Sequence, residues 1–205
     1  MRKRTYPLYG IAAVIVFMIA VALFLFFEGP DPAKYEFLKE PRITKMPDQK
    51  MLEVVAAGDP NVVGSKAFKL LFKSYFKVPG VAKNLKQAPR ARWAGDVNVK
   101  SSWTGYYALP VPDSAASPSQ ADPESGYQVR VVTWEYGEVA EILHVGPYAE
   151  ETTTIQKLHR FVDRQGYEIV GLHEEEYVKG PGMFFQGDPA KYQTIIRNRV
   201  RKRNL

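Results

Sequence analysis

Three kinds of hydrophobic pattern divide the chain. Leu8 to Phe27, LYGIAAVIVFMIAVALFLFF, is unbroken and uncharged; twenty residues at about 1.5 Å each match a hydrocarbon layer of roughly 30 Å. Two stretches repeat at helical spacing: Val62 to Lys77, where Phe68, Leu71, Phe72 and Tyr75 form one apolar stripe, and the stretch after Gly146-Pro147, where Ile155, Leu158, Phe161 and Val162 do so. The extended runs Met51–Ala57, Trp93–Val99, Ser102–Val111, Tyr127–Trp134, Val139–Val145, Ile169–Val178 and Tyr192–Val200 predict strands. Gly58-Asp59-Pro60, Pro79-Gly80, Gly146-Pro147 and Gly166 punctuate them.

The stretch Glu138 to Tyr177 reads as strand, helix, strand. Alternation in its second strand puts Val170, Leu172 and Val178 on one face, which should meet the helix carrying Leu158, and Ile169, Gly171, His173, Glu175 and Tyr177 on the other. That second face is either solvated, as one face of an antiparallel sheet often is, or the floor of a half-polar pocket. Glu174 and Glu176 are expected on the opposite face from Glu175, in water.

Glu53-Val54-Val55-Ala56-Ala57-Gly58 matches Glu141-Ile142-Leu143-His144-Val145-Gly146 at an offset of 88 residues, and a helix follows each. The match predicts an internal duplication: an α+β, two-layer domain of two β-α-β-β modules, about residues 42–111 and 126–200, with an antiparallel sheet and a cleft between the halves. Residues 28–41, with three prolines, read as a stiff linker. Pro112 to Gly126 reads as a surface loop.

Composition narrows the function classes. The 205 residues contain no cysteine, which excludes disulfides, thiol catalysis and Cys-type zinc sites. The net charge of +6 comes without any helix-turn-helix, zinc-finger or RNP-like pattern, so no nucleic-acid partner is expected. No metal-ligand spacing, nucleophile motif or phosphate loop occurs, and no cofactor is expected. Arg2, Lys3 and Arg4 precede the apolar run while Glu28 and Asp31 follow it. The positive-inside bias then makes residues 1–27 a single-pass signal anchor with a cytoplasmic N-terminus and an extracytoplasmic domain. A cleaved signal peptide is the rival reading, but Phe24-Leu25-Phe26-Phe27 stands where a small-x-small site belongs. Between Asp59 and Asp96 there are eight Lys or Arg and no acid, whereas Tyr127 to Tyr177 holds ten acids against four bases. The two modules therefore carry opposite charge.

Together, GEVAEILHVGPYAEE, the helix ending in Gly166-Tyr167, HEEEYVKGP with Glu175 two residues before Tyr177, and DPAKYQTIIRNRV with Thr194 give the second half its character. Here the chain resembles the GyrI-like small-molecule-binding domain, also called the AraC-type effector-binding domain. The likeness covers about Gly126 to Val200, and the first half only through the duplication. It implies an inter-module cleft for small, often cationic or aromatic, molecules. Relatives are commonly fused to DNA-binding domains in bacterial regulators; this chain carries an apolar anchor instead. In many relatives an acid follows the Thr of the last strand, where this chain has Ile195.

The candidate ligand-binding set is Glu175, Tyr177, His173, Tyr148, Trp134, Tyr107, Trp103 and Phe185. A carboxylate ringed by aromatics suits a lipophilic cation, each ring contributing about 0.5–2 kcal/mol. Binding is preferred to catalysis. The alternatives are a small-molecule hydrolase in which Glu175 activates water, with His144 and His173 the other conceivable bases, and a non-catalytic protein whose Lys66, Lys69, Lys73 and Lys77 stripe lies on a membrane surface.

Overall fold

The computed structural model describes residues 30–81, 87–95, 99, 102–116, 127–181 and 187–204. The apolar run Leu8–Phe27 and Phe185 lie outside them. Among the described residues no helix is long and apolar enough to cross a membrane.

Eight strands form one antiparallel sheet: β1 (Arg42–Met46), β2 (Gln49–Ala57), β3 (Arg90–Ala94), β4 (Thr104–Pro110), β5 (Gln128–Trp134), β6 (Gly137–Val145), β7 (Tyr167–Lys179) and β8 (Gln193–Lys202), ordered β1-β6-β8-β7-β3-β4-β2-β5. Helices α1 (Pro60–Tyr75) and α2 (Glu151–Arg164) cover one face. α1 starts where Asp59 accepts a hydrogen bond from the Asn61 N–H at 2.9 Å and Pro60 occupies its first turn. α2 stops at Gly166, whose φ of +74° only glycine adopts without strain.

The sheet order is that of two β-α-β-β modules related by an approximate twofold. In each, the third strand lies between the first and second, and the two second strands, β3 and β7, meet at the seam. The strand preceding each module pairs with the first strand of the other: β1 with β6, and β5 with β2. Ion pairs between half-exposed arginines and buried glutamates obey the same 88-residue offset. Arg42 holds Glu141 at 2.6 Å and Arg130 holds Glu53 at 2.7 Å. Because each pair joins opposite modules, the duplication is also an exchange of edge strands, which the sequence match did not show.

The helix face has two apolar clusters. Leu52, Val54 and Leu109 pack under Leu70, Leu71 and Tyr75 of α1, while Ile142, Ile196 and Val200 pack under Leu158 and Val162 of α2. Between the helices, over the seam, the sheet carries polar and aromatic residues instead.

The opposite face is not wetted as expected. Glu174 is only 2% exposed, and Glu176 is also buried. Arg197 donates to Glu174 at 2.7 Å, Glu176 at 3.1 Å and Glu141 at 2.9 Å; Arg92 donates to Glu174 at 2.8 Å and Arg90 lies 3.1 Å from Glu176. Arg92 also stacks on Trp134, 4.0 Å from the ring centroid. Carboxylates next to arginines on neighbouring strands remain ionised even without water.

Two further expectations change. The stretch expected as a linker is partly folded: Pro32–Lys39 forms a 3-10 segment whose Leu38 is buried against Leu143, Val178 and Ile195 on the face away from the helices. Val170 and Leu172, expected under α2, are exposed. Being of opposite parity to Ile169 and His173, they lie on the far face, where the strand is irregular between those two residues, beside a hollow of about 430 Å³ with Arg92 and Arg199.

Two outcomes follow for stability. Leu38→Ala should cost about 2–5 kcal/mol in a denaturant melt, as a fully buried leucine does, whereas a free linker would lose almost nothing. Burial pushes the Glu174 carboxyl up, but Arg197, Arg90 and Arg92 more than reverse this and hold it below the usual value. A depressed folded-state pKa gives stability present above the unfolded value near 4.5 and lost as pH falls below it. Arg197→Met should therefore cost about 3–5 kcal/mol at neutral pH and flatten the acid limb of the melt profile.

Candidate functional site

Direct register pairing fixes which side chains share a face. His173, Glu175 and Tyr177 lie opposite Asn198, Ile196 and Thr194 of β8, and Trp93 lies opposite His173. Since Ile196 packs under α2, Glu175 is on the helix face rather than the face away from Leu158. It is nevertheless in a cleft, because α1 stands over β2 and β4 and α2 over β6 and β7, leaving a gap between the two helices above the seam. Ala91 and Glu175 are the pair at the middle of the seam, so Glu175 marks the approximate twofold.

The cleft has a volume of about 2040 Å³. It contains Glu175, Tyr177, His173, Tyr148, Tyr107 and Trp103 of the expected set. Trp134 does not belong: it lies buried on the opposite face, where its indole N–H donates to Glu53 at 2.8 Å, because its strand pairs at the far edge of the sheet from the seam. His144 bonds Thr154 and the Pro147 carbonyl at 3.0 and 3.1 Å and is structural.

The cleft also holds residues that the sequence reading placed elsewhere. Trp93 reaches it from β3, its ring edge-on to Tyr107 at 5.4 Å. Phe68, read as core, stands edge-on to both Tyr107 at 4.9 Å and Tyr177 at 5.7 Å. Tyr148 completes the wall, 5.6 Å from Tyr177. Gly105 is what admits the Trp93 and Tyr107 rings, since a Cβ there would lie 2.8 and 2.6 Å from them.

Glu175 accepts from the Tyr177 hydroxyl at 2.6 Å and from His173 Nε2 at 3.0 Å; a carboxylate only accepts, so Nε2 carries the proton. Burial pushes its carboxyl up, but the bonds from His173 and Tyr177 reverse the effect and hold it ionised. Glu151, in the first turn of α2, is 5% exposed and its Oε1 has no hydrogen-bond partner. Burial first, and the charge on Glu175 second, push it up to about 8. At neutral pH the floor thus combines one neutral carboxyl with one carboxylate. Thr194 Oγ1, buried at the same place on β8, also has no partner. Burial and neighbouring charge push Tyr177 well above its ordinary value, so it stays a donor. The periodicity could have flagged Glu151 only as an acid favoured by the helix dipole; its proximity to Glu175 depends on how α2 lies over β7.

This fold is shared with known structures. A hydrolase from Listeria innocua superposes with a TM-score of 0.65 at 21% identity, over 80% of this chain and 92% of that one. The C-terminal domain of EcmrR superposes with a TM-score of 0.58 at 15% identity, over 80% and 98%. The same protein in complex with DNA matches at 0.58 and 16% identity, over 82% of this chain and 59% of that one. No family model and no curated protein matches the chain. The resemblance to effector-binding domains thus agrees with the structure at the level of the fold.

Glu151 generates a pH test. Its raised folded-state pKa means that the unfolded chain ionises first as pH rises from 4.5 to about 8, so stability declines across that window. Glu151→Gln should raise Tm at pH 7.5 and remove that part of the decline. An unchanged melt profile would show that Glu151 is as well solvated folded as unfolded.

Proposed function

We propose that the chain binds a small aromatic cation in the cleft between its two modules. The observation that carries this reading is Glu175: a mostly buried carboxylate still reachable from the cleft, kept ionised by His173 and Tyr177, on the floor of a cleft walled by Trp93, Trp103, Tyr107, Tyr148 and Phe68. Ring faces attract a cation and the carboxylate supplies its counter-charge. Residues 8–27 would anchor this domain to a membrane with the cleft on the extracytoplasmic side; a topology reporter fused after Leu205 tests that part separately.

A second reading rests on the carboxyl pair. Glu151 held neutral and Glu175 held ionised would form an acid and a base on one cleft floor, the arrangement needed to protonate a leaving group while activating water. That a hydrolase shares the fold is consistent with it.

Calorimetric titration of the detergent-solubilised chain separates the possibilities. Benzyltrimethylammonium should bind and benzoate should not; Glu175→Gln should weaken the cation at least tenfold, about 1.4 kcal/mol, while leaving the circular dichroism spectrum intact. Affinity should rise further above pH 8, where Glu151 adds a second negative charge. Equal binding of the two probes, or an unaltered Glu175→Gln, would refute the cation reading.

A further inference from the structure

The long cleft has two unlike ends. One is bordered by Pro60 and Asn61 at the start of α1, with Gly95, Trp103 and Ile169. The other is bordered by Phe72 and Phe76 at the end of α1, Gln87, Pro89, Gly180, Pro181 and, notably, Pro30, Asp31 and Pro32. Only Glu28 and Gly29 separate those last three residues from the apolar run that ends at Phe27.

Chain length then constrains where this end can be. Three residues extend at most about 10 Å, so if residues 8–27 span a bilayer, the Pro30 end of the cleft is within about that distance of its surface. The side chains around it agree. Phe76 is 41% exposed although it is a large aromatic, and Lys69 and Lys73 of α1 and Lys77 just beyond it are exposed at the same end of the helix. An exposed aromatic among lysines is the composition that rests in an anionic headgroup layer. Two acids line the cleft toward this end: Asp31, whose carboxylate caps the Ala33 N–H at 3.0 Å, and Glu151 at the start of α2.

We infer that the cleft opens onto the lipid surface at its Pro30–Pro181 end, and that the ligand is an amphiphilic aromatic cation taken from the headgroup layer rather than from bulk water. The inference rests on the binding and anchoring readings above, and adds the orientation of the domain and the source of its ligand. In this geometry the lipid concentrates the cation at the mouth, and Glu175 and the rings receive it without passage through water.

The absence of cysteine allows a direct test on the full chain. Single variants Phe76→Cys, Lys77→Cys and Val62→Cys are labelled with an environment-sensitive nitrobenzoxadiazole and reconstituted into 3:1 phosphatidylcholine–phosphatidylglycerol vesicles. Brominated lipid should quench the label at Phe76→Cys or, should that variant misfold, at Lys77→Cys, by at least twofold. It should leave Val62→Cys little affected: Val62 is 68% exposed but about 20 Å away along the helix. Inserting twenty Gly/Ser residues between Glu28 and Gly29 should abolish the quenching and slow capture of benzyldimethyldodecylammonium at least fivefold, without altering affinity for water-soluble benzyltrimethylammonium.

Chain that floats with vesicles but is quenched equally at residues 62 and 76, or is insensitive to the inserted spacer, overturns the inference and leaves both earlier readings standing. Chain that fails to float overturns the anchor and this inference together, while benzyltrimethylammonium binding still reports on the cleft. Loss of binding to both cations refutes the binding reading and, with it, the proposed ligand source.

Discussion

The short pairing of β3 with β7 is the constraint on which the rest depends. Four residues of each strand, Arg90 to Trp93 against Glu176 to His173, form the direct sheet contact between the second strands of the two modules. Successive side chains point to opposite faces, so three consecutive glutamates perform different tasks. Glu174 and Glu176 meet arginines from β3 and β8 on one face, and Glu175 meets His173 and Tyr177 on the other. A one-residue slip would put one carboxylate among the arginines and two in the cleft. The buried arginine network therefore does more than hold the modules together, since it penalises every register that misplaces Glu175.

The site follows from how two covered half-sheets join. Each helix buries its apolar stripe on its own module, α1 over β2 and β4 and α2 over β6 and β7, and a gap remains between them. The seam is left as a cleft whose floor needs no aliphatic residues. Polar groups at its base are costly when buried, and the chain partly meets that cost by neutralising Glu151 and by giving Glu175 two donors. Glu151 Oε1 and Thr194 Oγ1 remain without partners.

Exchange of β1 and β5 between modules gives the domain its continuity. Each edge strand brings an arginine to a glutamate of the other half, Arg42 to Glu141 and Arg130 to Glu53, so neither module can leave without exposing a buried charge. The 3-10 segment adds a third tie, placing Leu38 on the side of the sheet opposite the helices.

Much of this was legible in the chain itself. Periodicity determined both helices, most strands and the duplication, because burial on one face imposes a period on any amphipathic element. Alternation correctly grouped His173, Glu175 and Tyr177. Alternation alone could not say which face of β7 the helices cover, and the aliphatic Val170 and Leu172 pointed to the wrong one, because they share parity with Glu174 on the face away from the helices and stay exposed there. The fate of Glu174 and Glu176 depended on arginines 21 to 86 residues distant, and Trp134 was misplaced because its strand crosses to the other module. Trp93, Phe68 and Glu151 joined the site only through strand order and the lie of α2. Local pattern records which side of an element is apolar; what lies opposite it is decided by pairing between distant segments, and only the tertiary structure contains that.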